Sequence, residues 1–234
     1  MDADRLLLVF TKPARAGRVK TRLIGKLSSH QAAELHLAFL GDVLNRFRDG
    51  PFDIEIAWAV DDAERLPEES EWGIAGRRQR GASLGERLHT TLREAGRKHT
   101  FVVAIGSDHP ELSLDTVIAA FEFLEARSDV VVGPAADGGY YLIGLRSEKI
   151  TRALFEGIPW STSEVFAETC RRCRELDFDL ALLESGHDVD TPADLDRLIE
   201  ALNVTNCRTS KAVDCPLTRE VLESWGRLRR AEAG

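Results

Sequence analysis

The chain has 234 residues, of which 43% are hydrophobic and 30% are charged, a composition typical of a globular protein rather than a disordered one. Its formal net charge of -8 at pH 7 argues against nucleic acid or an anionic membrane surface as the main partner. No apolar run approaches the roughly 20 residues of a membrane span, and the N-terminus lacks the layout of a signal peptide. We therefore expect no membrane span and a cytoplasmic protein.

Short aliphatic or β-branched runs alternate with longer helical patterns along the chain. The strands predicted in chain order are Arg5 to Thr11, Asp53 to Val60, Thr100 to Gly106, Asp129 to Gly133, Tyr140 to Leu145 and Phe178 to Leu183. This alternation indicates repeated βα units around a mostly parallel sheet. We expect one domain over residues 1–202, followed by a C-terminal linker and helical appendage over residues 203–234.

Several helix starts carry a recognisable signal. Pairs of residues three apart match a capping box, in which two side chains satisfy the first free amides of a helix. These pairs are Ser28 with Gln31, Ser83 with Glu86, and Ser161 with Glu164. Thr191 followed by Pro192 places a cap before proline in the first helical turn.

The four cysteines and the tail leave alternatives open. Cys170 and Cys173 could form a four-thiolate zinc site with Cys207 and Cys215, but the first pair falls inside a helix predicted from Ser163 to Glu175. A helix lacks the knuckle turn of such sites, and a structural role is therefore favoured. In the tail, Leu217 to Arg230 is predicted to be an amphipathic helix that docks back or meets another subunit, for example in a homodimer.

The connection after the first strand concentrates positive charge in an acidic protein. Residues 12–26 contain no acid and six basic residues, namely Lys12, Arg15, Arg18, Lys20, Arg22 and Lys26. A loop at the carboxyl end of a strand opens onto the crevice where α/β proteins bind ligands, and Gly17 lets backbone amides approach phosphate oxygens. We expect an exposed phosphate-binding loop. The alternative is a solvated basic turn. Neither a Walker A loop nor a dinucleotide fingerprint is present.

Two acidic residues follow predicted strands. Asp108 comes directly after the apolar run Phe101 to Ile105, and Asp190 precedes a predicted helix. Carboxylates in these places favour a Mg²⁺ or Mn²⁺ site. The alternatives are a turn cap for Asp108 and acids placed for the helix dipole around Asp190. Because neighbouring carboxylates repel each other when no cation lies between them, we expect each Asp→Asn variant to be as stable as the wild type without metal.

A glycine pair links two predicted strands in the stretch from Gly133 to Tyr141. Gly138 and Gly139 allow positive φ and close backbone approach, and the preceding Asp137 could point at an acceptor or a metal. We therefore assign the two glycines to an acceptor pocket and Asp137 to the catalytic residues. A plain hairpin turn explains the Asp-Gly pair almost as well.

Five segments occur in one order that resembles the nucleotide-diphospho-sugar transferase superfamily with the glycosyltransferase-A fold. They are FTKPARAGRVKTRL, IGSDHPEL, GPAADGGYYLIGL, IPWSTSEVF and DVDTPADL. The resemblance runs from about Leu6 to Leu202 and is strongest to a bacterial family of glycosyltransferases without an assigned substrate. Guanylyltransferases acting on 2-phospho-lactate and on molybdenum cofactor are more distantly similar.

The resemblance implies a fold and roles for the residues. The fold is α/β, with a mixed, mainly parallel central sheet flanked by helices in a three-layer sandwich. Asp108 would hold the metal with Asp190 as the second ligand. The residues implied at the nucleotide and its phosphates are Lys12, Arg15, Gly17, Lys20, Arg22, Gly81, Ser83 and Gly85. Those implied near the acceptor are Trp160, Ser161 and Thr162.

The function implied is metal-dependent group transfer from an activated nucleotide. The donor is either a nucleotide sugar, for glycosyl transfer, or a nucleoside triphosphate, for nucleotidyl transfer. The sequence leaves the acceptor open. In both reactions a metal and a basic loop would stabilise charge on the leaving diphosphate or pyrophosphate. A catalytically silent nucleotide-binding module is the alternative from another class.

Overall fold

The structure is a computed structural model, and it describes residues 4–61, 63–67, 72–204 and 214–228. The described residues divide into two compact units. The first takes in the chain up to Pro13, Phe47–Gly106 and Leu114–His187. The second takes in Ala14–Arg46, Ser107–Ser113 and the chain from Asp188 onward.

A seven-stranded sheet forms the centre of the first unit. Its strands are β1 (Arg5–Thr11), β2 (Asp53–Trp58), β3 (Gly76–Arg78), β4 (Phe101–Gly106), β5 (Val130–Pro134), β6 (Tyr140–Arg146) and β7 (Leu180–Leu182). Their order across the sheet is β3-β2-β1-β4-β6-β5-β7. All neighbours are parallel except β6, which runs antiparallel to β4 and β5. The short β5–β6 connection explains this, because a parallel neighbour would need a longer crossover.

Helices cover both faces of this sheet. The helices of the first unit are α2 (Leu84–Ala95), α3 (Leu114–Ala126) and α4 (Val165–Glu175). Leu88 of α2 and Cys173 of α4 share a core cluster with Val102 of β4. Leu124 of α3 and Val103 of β4 instead both lie beside Gly144 of β6, and Val103 points to the face opposite Val102 because strand residues alternate. The first unit is therefore a three-layer sandwich with a mixed, mainly parallel sheet, which confirms the predicted fold class.

The second unit is built from helices. They are α1 (Ser29–Phe47, whose last residue belongs to the first unit), α5 (Pro192–Val204), α6 (Pro216–Ser224) and a 3₁₀ turn at Thr21–Leu23. Leu23, Phe39, Leu195 and Leu222 lie fully buried in one cluster of this unit. The predicted tail helix thus docks back onto its own chain, although its predicted end at Arg230 lies outside the described residues. Association into a homodimer stays a prediction.

The amino end of α6 is fixed by a buried carboxylate of α1. Asp42 is 2% exposed and accepts hydrogen bonds from the amides of Leu217 and Thr218, both at 2.9 Å. A negative charge at this end also complements the helix dipole. Residues before and after position 202 share one hydrophobic cluster. The division into a domain over residues 1–202 and an appendage over residues 203–234 stays a prediction.

Some element boundaries differ from the sequence predictions. β3 was not predicted, and β2 ends at Trp58 rather than Val60. The helix expected from Ser163 begins at Val165, and the capping box of Ser161 with Glu164 does not form. Ser161 has a φ of 67°, and the hydroxyl of Thr162 accepts the Glu164 amide instead. The prediction of that box is therefore wrong.

The other predicted helix starts are confirmed. Ser28 and Gln31 exchange reciprocal hydrogen bonds, and the Ser83 hydroxyl accepts the amide of Glu86. Thr191 likewise accepts the amide of Asp194. None of the helices in the described ranges is long and apolar enough to cross a membrane.

The cysteine pair lies within α4, as the sequence predicts. Cys170 and Cys173 are both buried, and burial raises the pKa of the Cys173 thiol to about 12. Cys215 is buried in the second unit. Cys207 lies outside the described residues, so the zinc alternative stays untested.

Candidate active site

Three charged side chains of the second unit converge on one point. The Lys20 ammonium nitrogen lies 2.9 Å from Asp108 Oδ1 and 3.0 Å from Asp190 Oδ1. It also donates to the carbonyl of Val189 at 2.7 Å. The Lys20 side chain is only 2% exposed, whereas those of Asp108 and Asp190 are 38% and 40% exposed. The arrangement is a buried cation with two carboxylates that also face solvent.

The local backbone explains why these groups meet. Lys20 adopts left-handed backbone angles, φ 47° and ψ 38°, immediately before the 3₁₀ turn. Asp108 directly follows Ser107, and its carbonyl accepts the amide of Val189 at 2.9 Å, which ties the two acidic segments together. Asp194 then accepts the amides of both Asp190 and Thr191. Each acid is therefore fixed by its own backbone as well as by the lysine.

The turn that carries Asp108 is held by hydrogen bonds to the backbone carbonyls that follow it. Arg46 of α1 donates to the carbonyls of Pro110 and Leu112, at 2.5 and 3.1 Å. The Cys215 thiol donates to the same Pro110 carbonyl at 3.1 Å. Burial raises the pKa of this thiol to about 11, so it remains a donor near neutral pH. Residues of the C-terminal segment thus take part in holding the Asp108 turn.

The electrostatics of the cluster favour the charged forms. Burial alone raises the pKa of the Asp108 carboxyl, but the Lys20 ammonium and a hydrogen bond from His36 outweigh burial and hold that pKa well below its usual range. Burial alone lowers the pKa of Lys20, but Asp108 and Asp190 outweigh it and raise that pKa. At neutral pH Asp108 is therefore a carboxylate and Lys20 an ammonium.

The expectation that the whole basic loop is exposed is wrong for Lys20. An ammonium has three hydrogens to donate, and three acceptors within 3.0 Å already surround this one. In this arrangement Lys20 has no hydrogen left for a phosphate oxygen. The Lys20 ammonium also lies between Asp108 and Asp190, so it compensates the repulsion on which the expected stability of their Asn variants rests. The stability of these variants stays a prediction, and the contacts of Lys20 favour a loss instead.

The other predicted residues of the basic loop do lie at the surface. Arg15, Gly17 and Arg22 of the second unit are exposed, and Gly17 has a φ of 75°. Lys12 is exposed in the first unit. A Cβ at Gly17 would meet no heavy atom within 4 Å, so the positive φ of this residue, rather than crowding, accounts for the glycine.

The predicted acceptor residues belong to the first unit. Asp137 Oδ1 accepts the Gly139 amide at 2.9 Å, so its carboxylate stabilises the turn. Gly138 has a φ of 89°, and a Cβ there would clash with the backbone of Ser163. This close approach brings the turn against the residues that precede α4. The geometry supports the hairpin alternative, and a catalytic role for Asp137 stays a prediction.

The first unit also contains a pocket, and its lining includes residues implied at the nucleotide and a residue implied near the acceptor. Its volume is about 830 Å³, and Gly81, Ser83, Gly85 and Trp160 line it. Ser161 and Thr162 follow directly, and the Thr162 hydroxyl donates to the carbonyl of Pro159 at 2.7 Å. The sequence did not single out His89, Arg93 or Arg152 of this pocket, because isolated residues of these types carry no motif.

The chain matches the protein family described as uncharacterised proteins conserved in bacteria (DUF2064) over residues 43–162, about half its length. A solved structure from Desulfovibrio desulfuricans G20, named as a candidate nucleotide-diphospho-sugar transferase, is 32% identical with a TM-score of 0.81. The match covers 94% of this chain and 97% of that one. The chain belongs to the DUF2064 family, within the nucleotide-diphospho-sugar transferase superfamily. The resemblance and the prediction of a transferase are thereby confirmed.

More distant solved structures share the fold. A cytidylyltransferase from Leptospira borgpetersenii serovar Hardjo-bovis (strain JB197) is 13% identical with a TM-score of 0.57, covering 97% of this chain and 95% of its own. The 4-diphosphocytidyl-2C-methyl-D-erythritol synthase of Anaerococcus prevotii DSM 20548 is 11% identical with a TM-score of 0.55, covering 86% and 97%. None of the curated proteins is significantly similar to this chain in sequence.

Proposed function

We propose that the chain transfers a glycosyl group from a nucleotide sugar, with Asp108 and Asp190 as the acidic centre of the site. The observation that carries this proposal is the convergence of two partly exposed carboxylates on one buried ammonium. Both carboxylate side chains also face solvent, at 38% and 40% exposure. This partial exposure favours an additional cation from solution.

The residues present fit a divalent ion that binds together with its nucleotide. Mg²⁺ and Mn²⁺ take carboxylate oxygens and usually complete their shell with substrate phosphates and water. The described residues contain no group of three or more side chains able to hold a metal, so the substrate would have to supply ligands. When bound, the ion would neutralise negative charge on the leaving diphosphate.

The chain's own residues would bind and orient the donor. Arg15 and Arg22 lie at the surface of the second unit, close in sequence to Lys20, and suit phosphate oxygens. Lys20 acts here as a positioning residue that holds both carboxylates in place.

The experiment measures the melting temperature with nucleotide sugars and nucleoside triphosphates, each with and without Mn²⁺. A bound nucleotide at about 100 times its Kd stabilises by about 2.7 kcal/mol, which corresponds to roughly 5 to 10 °C for a chain of this size. Neither the metal alone nor the nucleotide alone should give this shift. A flat melting temperature with every compound would contradict the proposal.

Product analysis then separates the possible activities. Release of a nucleoside diphosphate from a nucleotide sugar supports glycosyl transfer, and release of pyrophosphate from a triphosphate indicates nucleotidyl transfer instead. Binding without either product identifies a silent binding module. Asp108→Asn should abolish the metal-dependent shift, whereas the matched control Asp196→Asn, an exposed residue of the same unit, should retain it.

A further inference from the structure

The pocket of the first unit is a groove along one face of α2, called here the α2 groove. Glu86, His89, Thr90 and Arg93 form one wall, and their spacing of three and four residues places them on the same side of the helix. Residues between Ile150 and Trp160 form the other wall. The volume of about 830 Å³ lies within the range of small-molecule sites, about 300 to 1,000 Å³.

The end of the groove near the start of α2 is shaped by a glycine. A Cβ at Gly85 would lie 2.5 Å from Trp160 Nε1 and 2.7 Å from the carbonyl of Phe155. Only glycine therefore allows these residues to approach the helix so closely. Trp160 also packs edge-on against Tyr140, with ring centroids 6.2 Å apart. The tryptophan is held in place and offers an aromatic surface to the groove.

Positive charge predominates on the groove walls of an otherwise acidic protein. Arg80, Arg93 and Arg152 line the groove together with two acids. One acid, Glu86, accepts the amide of Ala82 at 2.8 Å and so serves the start of α2. The other, Glu156, faces Arg152 at 3.5 Å. Within the described ranges, neither Arg80 nor Arg93 has an acidic partner.

His89 lies in the positive electrostatic field of two of these arginines. Its ring lies 6.2 Å from that of Phe155, and burial together with the charges of Arg93 and Arg152 lowers its pKa. Both guanidinium groups therefore lie close enough to His89 to disfavour its charged form. A neutral imidazole there can donate one hydrogen bond and accept another.

From this combination we propose that the α2 groove binds an anionic acceptor, whose carboxylate or phosphate group lies between Arg93 and Arg152 and whose apolar body lies against Phe155 and Trp160. The role as acceptor site rests on the proposed group transfer, whereas the binding itself does not. Paired guanidinium groups suit either anion because both present oxygens in a planar or forked arrangement. The aromatic surface selects a ligand with a flat or apolar part.

The test is isothermal titration of the full chain with 1-naphthyl phosphate, 1-naphthoate, inorganic phosphate and 1-naphthol. We expect one site for the two aromatic anions and much weaker binding of the other two probes. Arg93→Gln and Arg152→Gln should each weaken the aromatic anions at least about ten-fold, because each removes a charge-assisted hydrogen bond. The matched control Arg97→Gln, an exposed arginine just beyond α2, should leave binding unchanged.

One further variant tests the aromatic side of the site. Trp160→Phe should weaken the aromatic anions but not inorganic phosphate. If neither aromatic anion binds the wild type, or if the two arginine variants bind as well as Arg97→Gln, the proposal is overturned.

A parallel measurement distinguishes this proposal from the proposed function. The metal-dependent nucleotide shift should persist in Arg93→Gln and Arg152→Gln. Loss of both the probe and the nucleotide shift in these variants would make the groove part of the donor site and overturn the acceptor assignment. Probe binding in a wild type that shows no nucleotide shift would instead refute group transfer and leave the anion site standing.

Discussion

Replacing Lys20 with methionine removes the ammonium that lies between Asp108 and Asp190 while keeping a side chain of similar length. The variant loses three polar contacts of 2.7 to 3.0 Å at a side chain that is 2% exposed. Breaking a fully buried ion pair costs about 3 to 5 kcal/mol. Because the two carboxylates are 38% and 40% exposed and can regain water, we expect a smaller loss, about 2 to 4 kcal/mol.

The assay is urea unfolding at pH 7, and Lys26→Met is the matched control. Lys26 belongs to the same unit and pairs with Asp196, whose side chain is 59% exposed, so its loss should cost less than about 1 kcal/mol. Mn²⁺ should stabilise Lys20→Met more than the wild type, because the variant lacks the ammonium that both carboxylates contact. Equal losses in the two variants, or no difference in the Mn²⁺ effect, would refute the role given to Lys20.

The same comparison has a defined pH dependence. The lowered pKa of Asp108 contributes stability that is present above its unfolded value of about 3.9 and is lost as the pH falls toward the lower folded value. The raised pKa of Lys20 contributes stability that is present below its unfolded value of about 10.4 and is lost as the pH rises through the folded value. The difference between wild type and Lys20→Met should therefore be largest between these limits and shrink on acidification.

Three further predictions concern single groups. Asp108→Asn and Asp190→Asn should each destabilise the metal-free protein by about 1 to 3 kcal/mol in urea, because each takes a charged acceptor from a buried ammonium; stability equal to the wild type would contradict the cluster. Arg22→Glu should leave the urea midpoint unchanged, since the side chain is exposed, but abolish the metal-dependent nucleotide shift in melting temperature. With Cys207→Ser as background, Cys215 should not react with a disulfide reagent at pH 8 until urea unfolds the chain, because it is buried and its pKa is raised to about 11; rapid labelling of native protein would show an exposed thiol.

The sequence predicted elements well where hydrophobic patterning is strong. β1 and the core of β4 are continuous apolar runs, and their bounds were right within one residue. β3 was missed because Gly76–Arg78 is three residues long and contains two arginines, so it has no apolar alternation to detect. The start of α4 was missed because Ser161 adopts a positive φ, which a capping pattern does not reveal.

The proximity of Asp108 and Asp190 was predictable from the sequence, but the Lys20 side chain that joins them was not. Asp108 stood out because it follows an apolar run, and Asp190 because it precedes a predicted helix. The partner of both is a lysine that, in sequence, looks the same as its basic neighbours. Its burial depends on the left-handed backbone at Lys20 and on the Val189 carbonyl, which lies 169 positions away along the chain. Loop charge alone cannot distinguish a ligand-binding lysine from an internal counter-ion.

The contacts of the C-terminal segment bear on how the chain can be shortened. Arg46 and Cys215 both bind the Pro110 carbonyl, two residues beyond Asp108, and Asp42 holds the first amides of α6. A chain that ends at residue 202 would lack both the Cys215 thiol and α6. Asp42 would then be a buried carboxylate without the two α6 amides that donate to it. A late stop codon is therefore expected to impair the acidic centre although it spares every motif of the family, and inactivity of such a fragment would say nothing about the chemistry of the full chain.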